Sequence, residues 1–456
     1  MKTIKYITIL FLLSPLVGFA TEHTTRLHLN NQSVSLTGGD VYNINGESNA
    51  IYANNNSSIN ISPSDAGITV NALRVSEAMS MRVLLAQNNS TVDLGSGSKL
   101  SLTSSGTSGL VNTVIQIGLN SHMTATNLEI TGSGGGSDGV LGVNVGLDST
   151  LDLGTNSIVR TDGTALTVSR RGVITAADAY VDAGRTALSL WLGSINLQNT
   201  TVIGGEAAVN FIGRDPEITA SAGDVSVVNF SGGSLYSTSG PVVRTSSGGA
   251  IAQDHDMILN ITDGAQASSN SGVLYSQNAS TVATTGIDFT LNVEGTGTKV
   301  EGVFLGDTVE TNFNISDSAT WASTGSSNID NLSLDNANLE FDMTSISDSI
   351  TTGNLTLEGH SEALIGFTND FLEEIIAAGG SMNDIDASIV TSFLDGDGDI
   401  TYIYKTSNDE GSTWDIVNHG DGTFDISNIN IIPEPSTYAL IFGLLALTFA
   451  TYRRRK

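Results

Sequence analysis

The feature that most constrains the fold is a short segment, repeated along the chain, in which apolar and polar residues alternate before a turn residue. Clear copies are residues 90–95 (STVDLG), 149–154 (STLDLG), 193–197 (GSINL) and 354–357 (NLTL). Apolar residues at every second position give a strand one buried face, and Gly, Asn, Asp or Ser after about five positions ends the strand. Helical periodicity is nearly absent before residue 370. The body of the chain therefore predicts many short β-strands.

Imperfect repeats of short strands over hundreds of residues predict a solenoid, whose coils stack their inward faces into one continuous core. We expect an all-β, right-handed parallel β-helix over residues 21–369. With coils on the order of 20 residues, residues 30–365 would form roughly 16 coils, and about 4.8 Å per stacked strand gives a rod about 80 Å long. Asparagines at equivalent turns, as in 54–56 and 88–89, would form hydrogen-bonded ladders. An array of β-sandwiches is the alternative, but its long antiparallel hairpins are not evident.

Charge and cysteine content narrow the classes of function. The 456 residues include 18 Lys and Arg, 47 Asp and Glu, and no Cys, for a net charge of −29. Nucleic acid is excluded as a partner, because phosphate binding needs a basic face. The absence of Cys removes disulfides, thiolate metal sites and Cys nucleophiles. Residues 246–432 carry 2 cations and 29 anions, whereas residues 21–245 carry 10 cations and 17 anions, so the acidity is concentrated in the distal half.

The N-terminus predicts an export signal. Lys2 and Lys5 precede an apolar run over residues 6–17, and Gly18 and Ala20 then supply small residues before a polar segment. This order predicts a signal peptide over residues 1–20 that is cut after Ala20. An uncleaved anchor is the alternative, although the apolar run is short for a membrane span.

The C-terminal segment, residues 431–456, predicts a second targeting signal. Residues 433–436 read PEPS, an apolar stretch covers 438–452, and the chain ends in RRRK. Terminal cations favour a cytoplasmic end and can snorkel to the membrane surface. The motif residues are Pro433, Glu434, Pro435, Ser436, Arg453, Arg454, Arg455 and Lys456.

This tail resembles the PEP-CTERM sorting signal of Gram-negative bacteria. The resemblance implies a transmembrane helix held transiently in the inner membrane. It also implies exosortase, a membrane-embedded transpeptidase-like enzyme, as the partner that removes the helix near the motif. The implied destination is the cell surface or the extracellular matrix. A permanent single-pass anchor is the alternative.

A second resemblance concerns the distal body. Residues 321–327 (WASTGSS), 328–334 (NIDNLSL), 335–341 (DNANLEF) and 354–357 (NLTL) are similar to the final passenger coils of pertactin-like autotransporters. The similarity covers residues 313–369 and implies a β-helical adhesin or surface scaffold. No outer-membrane barrel of alternating strands of about 10 residues follows, so we expect the sorting tail to replace autotransport.

Residues 370–430 predict a C-terminal cap. Residues 370–378 have the pattern of a short helix that would cover the open end of the solenoid. Strands are expected at 400–404 and 414–417, joined as a β-hairpin. The connecting residues 407–414 (SNDEGSTW) match the S-x-D-x-G-x-T-W pattern of the Asp-box, a hairpin turn in sialidase-like propellers. A single copy excludes a propeller.

The candidate chemistry is sparse. Asp395, Asp397 and Asp399 alternate like the ligands of a calcium loop, but Ile400 and Thr406 stand where an EF-hand needs Gly and Glu. An acidic turn is therefore favoured over a weak Ca²⁺ site, and no other cofactor is expected. The patch most suggestive of catalysis is interpreted as paired surface charges. It comprises Arg170, Arg171, Asp178, Asp182 and Arg185.

We therefore expect an exported structural or adhesive protein without catalytic activity. The alternatives are a carbohydrate-active β-helix enzyme, a lyase or hydrolase, and a module that binds exopolysaccharide as a further partner. An aligned row of three or more carboxylates or basic residues on one solvent face would favour the enzyme. A surface lined by Asn, Ser and Thr would favour the scaffold.

Overall fold

The computed structural model describes most of the body of the chain. The described residues are 21–46, 49–61, 66–74, 80–105, 112–134, 136, 139–212, 224–246, 256–277, 288–307, 309–343, 345, 348, 350–367, 399–405, 413–418 and 424–430. Within these residues there are 37 β-strands and no α-helix.

The strands are short in the first part of the chain and lengthen in the middle. The first sixteen are β1 Glu22–His23, β2 Leu27–Asn30, β3 Ser33–Leu36, β4 Val41–Asn45, β5 Asn49–Asn54, β6 Ser58–Ile61, β7 Thr69–Arg74, β8 Arg82–Ala86, β9 Thr91–Ser96, β10 Lys99–Ser104, β11 Asn112–Ile117, β12 His122–Thr126, β13 Glu129–Gly134, β14 Val140–Val145, β15 Thr150–Thr155 and β16 Ile158–Thr161.

The remaining strands are β17 Leu166–Ala177, β18 Tyr180–Ala183, β19 Thr186–Gly204, β20 Ala207–Ile212, β21 Val225–Ser237, β22 Val243–Ser246, β23 Asp256–Thr262, β24 Gln266–Ser269, β25 Val273–Gln277, β26 Asp288–Glu294, β27 Lys299–Glu301, β28 Val303–Leu305, β29 Glu310–Ser316, β30 Thr320–Thr324, β31 Ser327–Asp335, β32 Asn338–Met343, β33 Ile350–Glu358, β34 His360–Phe367, β35 Asp399–Lys405, β36 Thr413–Asn418 and β37 Phe424–Asn430. The four repeated sequence segments lie in β9, β15, β19 and β33, so these strand predictions are confirmed.

The first 35 strands form one sheet in which every pairing is parallel, and most strands pair with the strands three places before and after. The sheet consists of three strips. The first strip runs β1, β4, β7, β10, β13, β16, β18, β19, β21, β24, β27, β30, β32, β34, β35; the second begins β2, β5, β8, β11, β14; the third begins β3, β6, β9, β12, β15. Long strands such as β19 pass through all three strips. The chain therefore returns beside itself once per coil.

Most coils are longer than the sequence predicted. Along the first strip, Thr69 pairs with Lys99, and Gln266 pairs with Lys299, so each of these coils is about half as long again as expected. Short coils also occur, since Thr320 pairs with Asn338. The prediction of about 20 residues per coil is thus wrong for most coils. Alternation marks each strand, but it does not show how many turn residues separate one strand from the next.

The sheet closes around a single hydrophobic core. Successive strands of the second strip place one apolar residue each in the same inward position. These residues, all fully buried, are Ile51, Leu84, Ile115, Val143, Leu166, Leu188, Val209, Val243, Tyr275 and Phe304. The distal core is aromatic: the rings of Tyr275 and Phe304 stack at 4.6 Å, and Phe313 meets Phe304 at 5.3 Å.

Asparagines shape two of the corners between the second and third strips. Asn55 and Asn56, like Asn88 and Asn89, have left-handed backbone angles, with φ between 52° and 61°, a conformation that Asn tolerates better than most residues. Asn88 donates a hydrogen bond of 2.6 Å to the side chain of Asn54, and Asn55 donates one of 2.7 Å to Asn30. The predicted ladders at these turns are confirmed.

The C-terminal segment differs from the predicted cap. β35, which covers the predicted strand 400–404, pairs in parallel with β34 and so continues the sheet past residue 369. The hairpin is formed by β36 and β37, which pair antiparallel. The predicted pairing of 400–404 with 414–417 is therefore wrong, because the free edge of β34 provides a parallel partner that the local sequence does not reveal.

Several predicted segments lie outside the described residues. They are the signal peptide, the helix at 370–378, Asp395 and Asp397, the start of the Asp-box, and the sorting tail with its motif. In the part of the chain that is described, no helix is long and apolar enough to cross a membrane. The division into domains stays a prediction.

Candidate functional site

A regular surface in the described part of the chain is the outer face of the third strip, from β15 to β33. We call it the asparagine face. Its central column takes one outward residue from each successive strand, all in direct register: Asp152, Thr175, Asn196, Asn229, Asn260, Asn292, Asn314, Ser333 and Thr356. Alternation produces the column, because each polar residue is flanked by apolar residues that point to the core.

The asparagines of this column are linked by their side-chain amides. Asn229 donates from Nδ2 to Oδ1 of Asn196 at 2.6 Å, and Asn260 donates to Asn229 at 2.7 Å. Asn292 continues the ladder to Asn260 at 2.7 Å, and Asn314 to Asn292 at 2.8 Å. Parallel, in-register stacking repeats the same geometry at each rung, so five amides form one continuous chain of hydrogen bonds.

A second, shorter ladder lies two residues earlier in each strand. Asn312, Asn331 and Asn354 are in register. Asn331 donates to Asn312 at 2.9 Å, and Asn354 donates to Asn331 at 2.7 Å. The two columns together give the distal part of the asparagine face a two-dimensional array of amides and hydroxyls, since the central column continues as Ser333 and Thr356. The array is spaced about 4.8 Å along the axis and about 6.7 Å along each strand.

The ladders on the outer faces of the strips share one polarity, and carboxylates lie near the N-terminal ends of these ladders. Each asparagine donor of these ladders points to the preceding coil. Asn331 also donates to Glu310 at 3.0 Å, and Thr175 donates to Asp152 at 3.0 Å. On the first strip, Asn71 donates to Asn43 at 2.9 Å and Asn43 to Glu22 at 2.7 Å. A carboxylate accepts hydrogen bonds only, so it suits the end of a ladder to which all donors point.

Rows of carboxylates border the asparagine face. On one side Asp288 is in register with Glu310, and Asp256 begins the strand before them. Desolvation, with the negative charges of Glu310 and Asp256, raises the pKa of Asp288. On the other side, Glu294, Asp335 and Glu358 belong to one column that also includes Ser316. The central column starts at the carboxylate of Asp152 and is neutral from Thr175 to Thr356, and the distal edges of the face are anionic.

A groove lies where the central column begins. It has a volume of about 440 Å³, and its polar lining includes Asp152, Thr175, Asn196, Gln198 and Ser231. Small residues make the depression, since Gly154 and Ala177 also line it. The groove opens directly onto the ladder, because Asn229 belongs to both.

The charged residues predicted as the patch most suggestive of catalysis do not come together at one place. Arg170 and Arg171 lie at the left-handed corner between the second and third strips, whereas Asp182 lies on the first strip. Arg171 pairs with Asp148 at 2.8 Å, and that hydrogen bond raises the pKa of Arg171. Arg185 pairs with Glu206 at 2.9 Å. These contacts favour the interpretation as paired surface charges.

The structure does not describe the arrangement of the three candidate calcium ligands. Asp399 is the first residue of β35, while Asp395 and Asp397 lie outside the described residues. Among the described residues, no group of three or more His, Asp or Glu side chains is arranged to hold a metal ion. The Ca²⁺ site therefore stays a prediction.

The sequence contains the pattern of the asparagine face, although the face was not predicted. Asn, an apolar residue and then Ser or Thr recur at 229–231 (NFS), 260–262 (NIT), 314–316 (NIS), 331–333 (NLS) and 354–356 (NLT). This tripeptide is one inward residue between two outward ones. Aligning the first three copies places Asn229, Asn260 and Asn314 in one column. The last two copies would be misaligned, because Asn331 and Asn354 are in register with Asn312.

Comparisons with known proteins leave the function to be argued from this geometry. No protein-family model matches the chain, and no curated protein sequence matches it. The asparagine face, its groove and its carboxylate borders are therefore the basis of the proposals that follow.

Proposed function

We propose that the protein is a right-handed parallel β-helix that acts as a structural or adhesive component of the cell surface or extracellular matrix, without catalytic activity. Right-handedness follows from the general preference of parallel crossover connections, which the twist of the strands imposes. Export through the signal peptide, a transient stay in the inner membrane and release by exosortase complete the proposal. Its support is the order of residues in the two termini.

The asparagine face carries the proposal of a scaffold. A long surface of neutral amides and hydroxyls, repeated rung by rung, provides uniform hydrogen-bonding groups without a distinct reactive centre. Catalysis needs groups with different roles held at one point, such as a nucleophile beside a base. The charged residues that most suggested a catalytic centre lie apart, since Arg170 and Arg171 are at a corner and Asp182 is on the first strip. Arg171 and Arg185 also form ion pairs.

A carbohydrate-active enzyme is the second candidate, and the carboxylate row favours it. Asp256, Asp288 and Glu310 follow one another on neighbouring strands of one outer face. Neighbouring strands lie about 4.8 Å apart, close to the carboxyl separation of about 5–5.5 Å in retaining glycosidases. The raised pKa of Asp288 is in the direction required of a general acid. The glycosidase would need Asp288 as acid and a neighbouring carboxylate as nucleophile.

Two measurements test the proposal, and the first concerns sorting. Replacing Pro433 and Pro435 together by Ala should leave the protein in the inner membrane, while the unchanged chain is recovered at the surface on fractionation. Delivery of the double variant to the surface would contradict sorting through the tail.

The second measurement concerns catalysis. The purified full-length chain should release no reducing sugar or unsaturated product from pectate, alginate or neutral glucans. Product that appears with the unchanged chain and disappears in Asp288→Asn, but not in Asp178→Asn, would establish the enzyme instead of the scaffold.

A further inference from the structure

We propose that the asparagine face binds a neutral, extended polysaccharide that lies along the axis of the coils. The proposal rests on the proposed surface location and names the class of partner and the residues that would recognise it. Four features of the face support it: free hydrogen-bonding capacity, the regular spacing of its rungs, a groove at one end, and the sign of the charge at its borders.

Each ladder amide keeps hydrogen-bonding capacity for a ligand. A side-chain amide has two N–H donors and an oxygen with two acceptor sites. Within the ladder, Asn260 uses one donor to Asn229 and one acceptor site for Asn292. Asn229 is exposed, and Asn260, Asn292 and Asn314 are half-buried. Each rung thus retains one donor and one acceptor near solvent, which together match the hydroxyl groups of a sugar.

The spacing of the rungs favours a linear polymer over a single sugar. The amides repeat about every 4.8 Å along the axis, and a regular polysaccharide presents hydroxyl groups at a fixed repeat along its length. Hydrogen bonds to neutral groups contribute only about 0.5–1.5 kcal/mol each. A polymer that meets several rungs at once gains from all of them, whereas a monosaccharide meets one or two.

The groove gives the polymer a place to begin. Its lining presents the hydroxyls of Thr175 and Ser231 and the amides of Asn196 and Gln198. A concave site of about 440 Å³ is within the size range of small-ligand sites. Because the groove is continuous with the ladder at Asn229, a chain held in the groove would extend over the distal rungs.

Charge selects a neutral polymer over an anionic one. The face is bordered by Asp256, Asp288 and Glu310 on one side and by Glu294, Asp335 and Glu358 on the other. A polyuronate or other anionic chain would be repelled from both borders. The neutral centre of the face has no such penalty for an uncharged chain.

The test measures retention by soluble polysaccharides in native affinity electrophoresis. The full-length chain in mild detergent is run through gels that contain dextran, amylose or xyloglucan as neutral probes, or alginate as the anionic probe. We expect retention by at least one neutral polymer, and none by alginate. The double variant Asn229→Ser/Asn260→Ser should raise the dissociation constant for that polymer about tenfold, the size expected when about two or three hydrogen bonds are lost.

Matched variants separate recognition from folding. Asn43→Ser/Asn71→Ser breaks a ladder of the same kind on the first strip and should leave retention unchanged. Gln198→Ala changes the rim of the groove outside the ladder and should weaken retention about threefold, consistent with one hydrogen bond. Equal loss in both double variants, retention unaffected by Asn229→Ser/Asn260→Ser and Gln198→Ala, or no retention by any neutral probe would each overturn the inference.

Failure of this inference and failure of the proposed function give different results. A chain that reaches the cell surface but is not retained by neutral polysaccharide overturns the inference and leaves the sorted scaffold in place. A chain that is retained by the polymer but never leaves the inner membrane overturns the proposed sorting and leaves polysaccharide binding by the asparagine face in place. Stronger retention by alginate than by the neutral probes would contradict repulsion from the carboxylate borders and would overturn the inference.

Discussion

At the scale of single residues, left-handed backbone positions determine the corners between the second and third strips. Successive coils place Asn88, Leu119, Leu147 and Arg170 at equivalent positions, with φ between 53° and 57°. Asparagine accepts this conformation, whereas a residue such as Leu pays a steric cost of roughly 1–2 kcal/mol. The corners at Leu119 and Leu147 are therefore strained compared with the corner at Asn88.

Replacing Leu119 by Asn should stabilise the protein by about 0.5–1 kcal/mol, because it relieves part of that steric cost. The midpoint of urea unfolding measures the effect. Leu73→Asn is the matched control, since Leu73 is equally exposed, 38% against 39%, but lies in the extended strand β7. There the substitution should stabilise nothing. Equal gains at both sites would attribute the effect to removal of an exposed apolar side chain.

The carboxylate row makes Asp288 a source of pH dependence. Its pKa is raised by burial and by Glu310 and Asp256, so the folded protein binds this proton more tightly than the unfolded chain does. Stability from this group is therefore greatest at low pH and falls as pH rises from about 3.9, the ordinary value, through the raised pKa.

Asp288→Asn should accordingly raise the melting temperature at pH 7, by an amount equivalent to about 0.2–1 kcal/mol, the range for cross-strand charge pairs. The gain should shrink as the pH is lowered and should vanish below the ordinary pKa, where Asp288 is protonated in both states. Asp178→Asn, outside the row, is the control. A gain that persists at pH 3 would show that Asn helps by hydrogen bonding and not by removing charge.

At the scale of strands, local alternation could be read from the sequence, and pairing partners could not. The segments at 90–95, 149–154, 193–197 and 354–357 all lie within or overlap observed strands. The antiparallel partner predicted for residues 400–404 was wrong because β34, which ends at Phe367, offers a free parallel edge. Partner choice depends on which edge is open in the folded molecule, and no local pattern records that.

The asparagine ladders stabilise the parallel sheet through side-chain hydrogen bonds between neighbouring strands. Asn260 makes two ladder hydrogen bonds, and Asn314 at the distal end donates one. At about 0.5–1.5 kcal/mol each, Asn260→Ala should destabilise by about 1–3 kcal/mol and Asn314→Ala by about half as much. Urea unfolding of the two variants gives the ratio. Equal losses would show that the ladder is not a chain of separable bonds.

At the scale of the whole molecule, the core and the outer surface both change along the rod. The inward column is aliphatic from Ile51 to Val243 and becomes aromatic at Tyr275 and Phe304. Charge changes in the same direction, since residues 246–432 hold 2 cations and 29 anions. The aromatic contacts of the core therefore lie in the half of the chain that carries most of the negative charge.

The sequence revealed the chemistry of the candidate site but not its position. The tripeptides at 229–231, 260–262 and 314–316 show outward Asn and Ser or Thr. Their columns depend on coil lengths, and these vary: the coil from Asn229 to Asn260 is clearly longer than the coil that ends at Asn314. Without the pairing register, the residues that share a face cannot be distinguished from residues on different corners.

The acidic distal half should make the melting temperature sensitive to ions, and the type of ion distinguishes two causes. If Asp395, Asp397 and Asp399 formed a Ca²⁺ site, millimolar Ca²⁺ would stabilise the fold by RT ln(1 + [L]/Kd), about 2.7 kcal/mol at a 100-fold excess over Kd. Asp397→Asn would remove most of that gain. We expect simple screening of self-repulsion instead.

Screening predicts that Mg²⁺ at equal concentration, or NaCl at high concentration, raises the melting temperature nearly as far as Ca²⁺ does. It also predicts that Asp397→Asn melts like the unchanged chain in every salt, because one carboxylate among 29 anions contributes little to the repulsion. Circular dichroism melts of both proteins in the three salts make the comparison. A gain that only Ca²⁺ produces, and that the Asp397 variant loses, would establish the loop as a calcium site and contradict the screening interpretation.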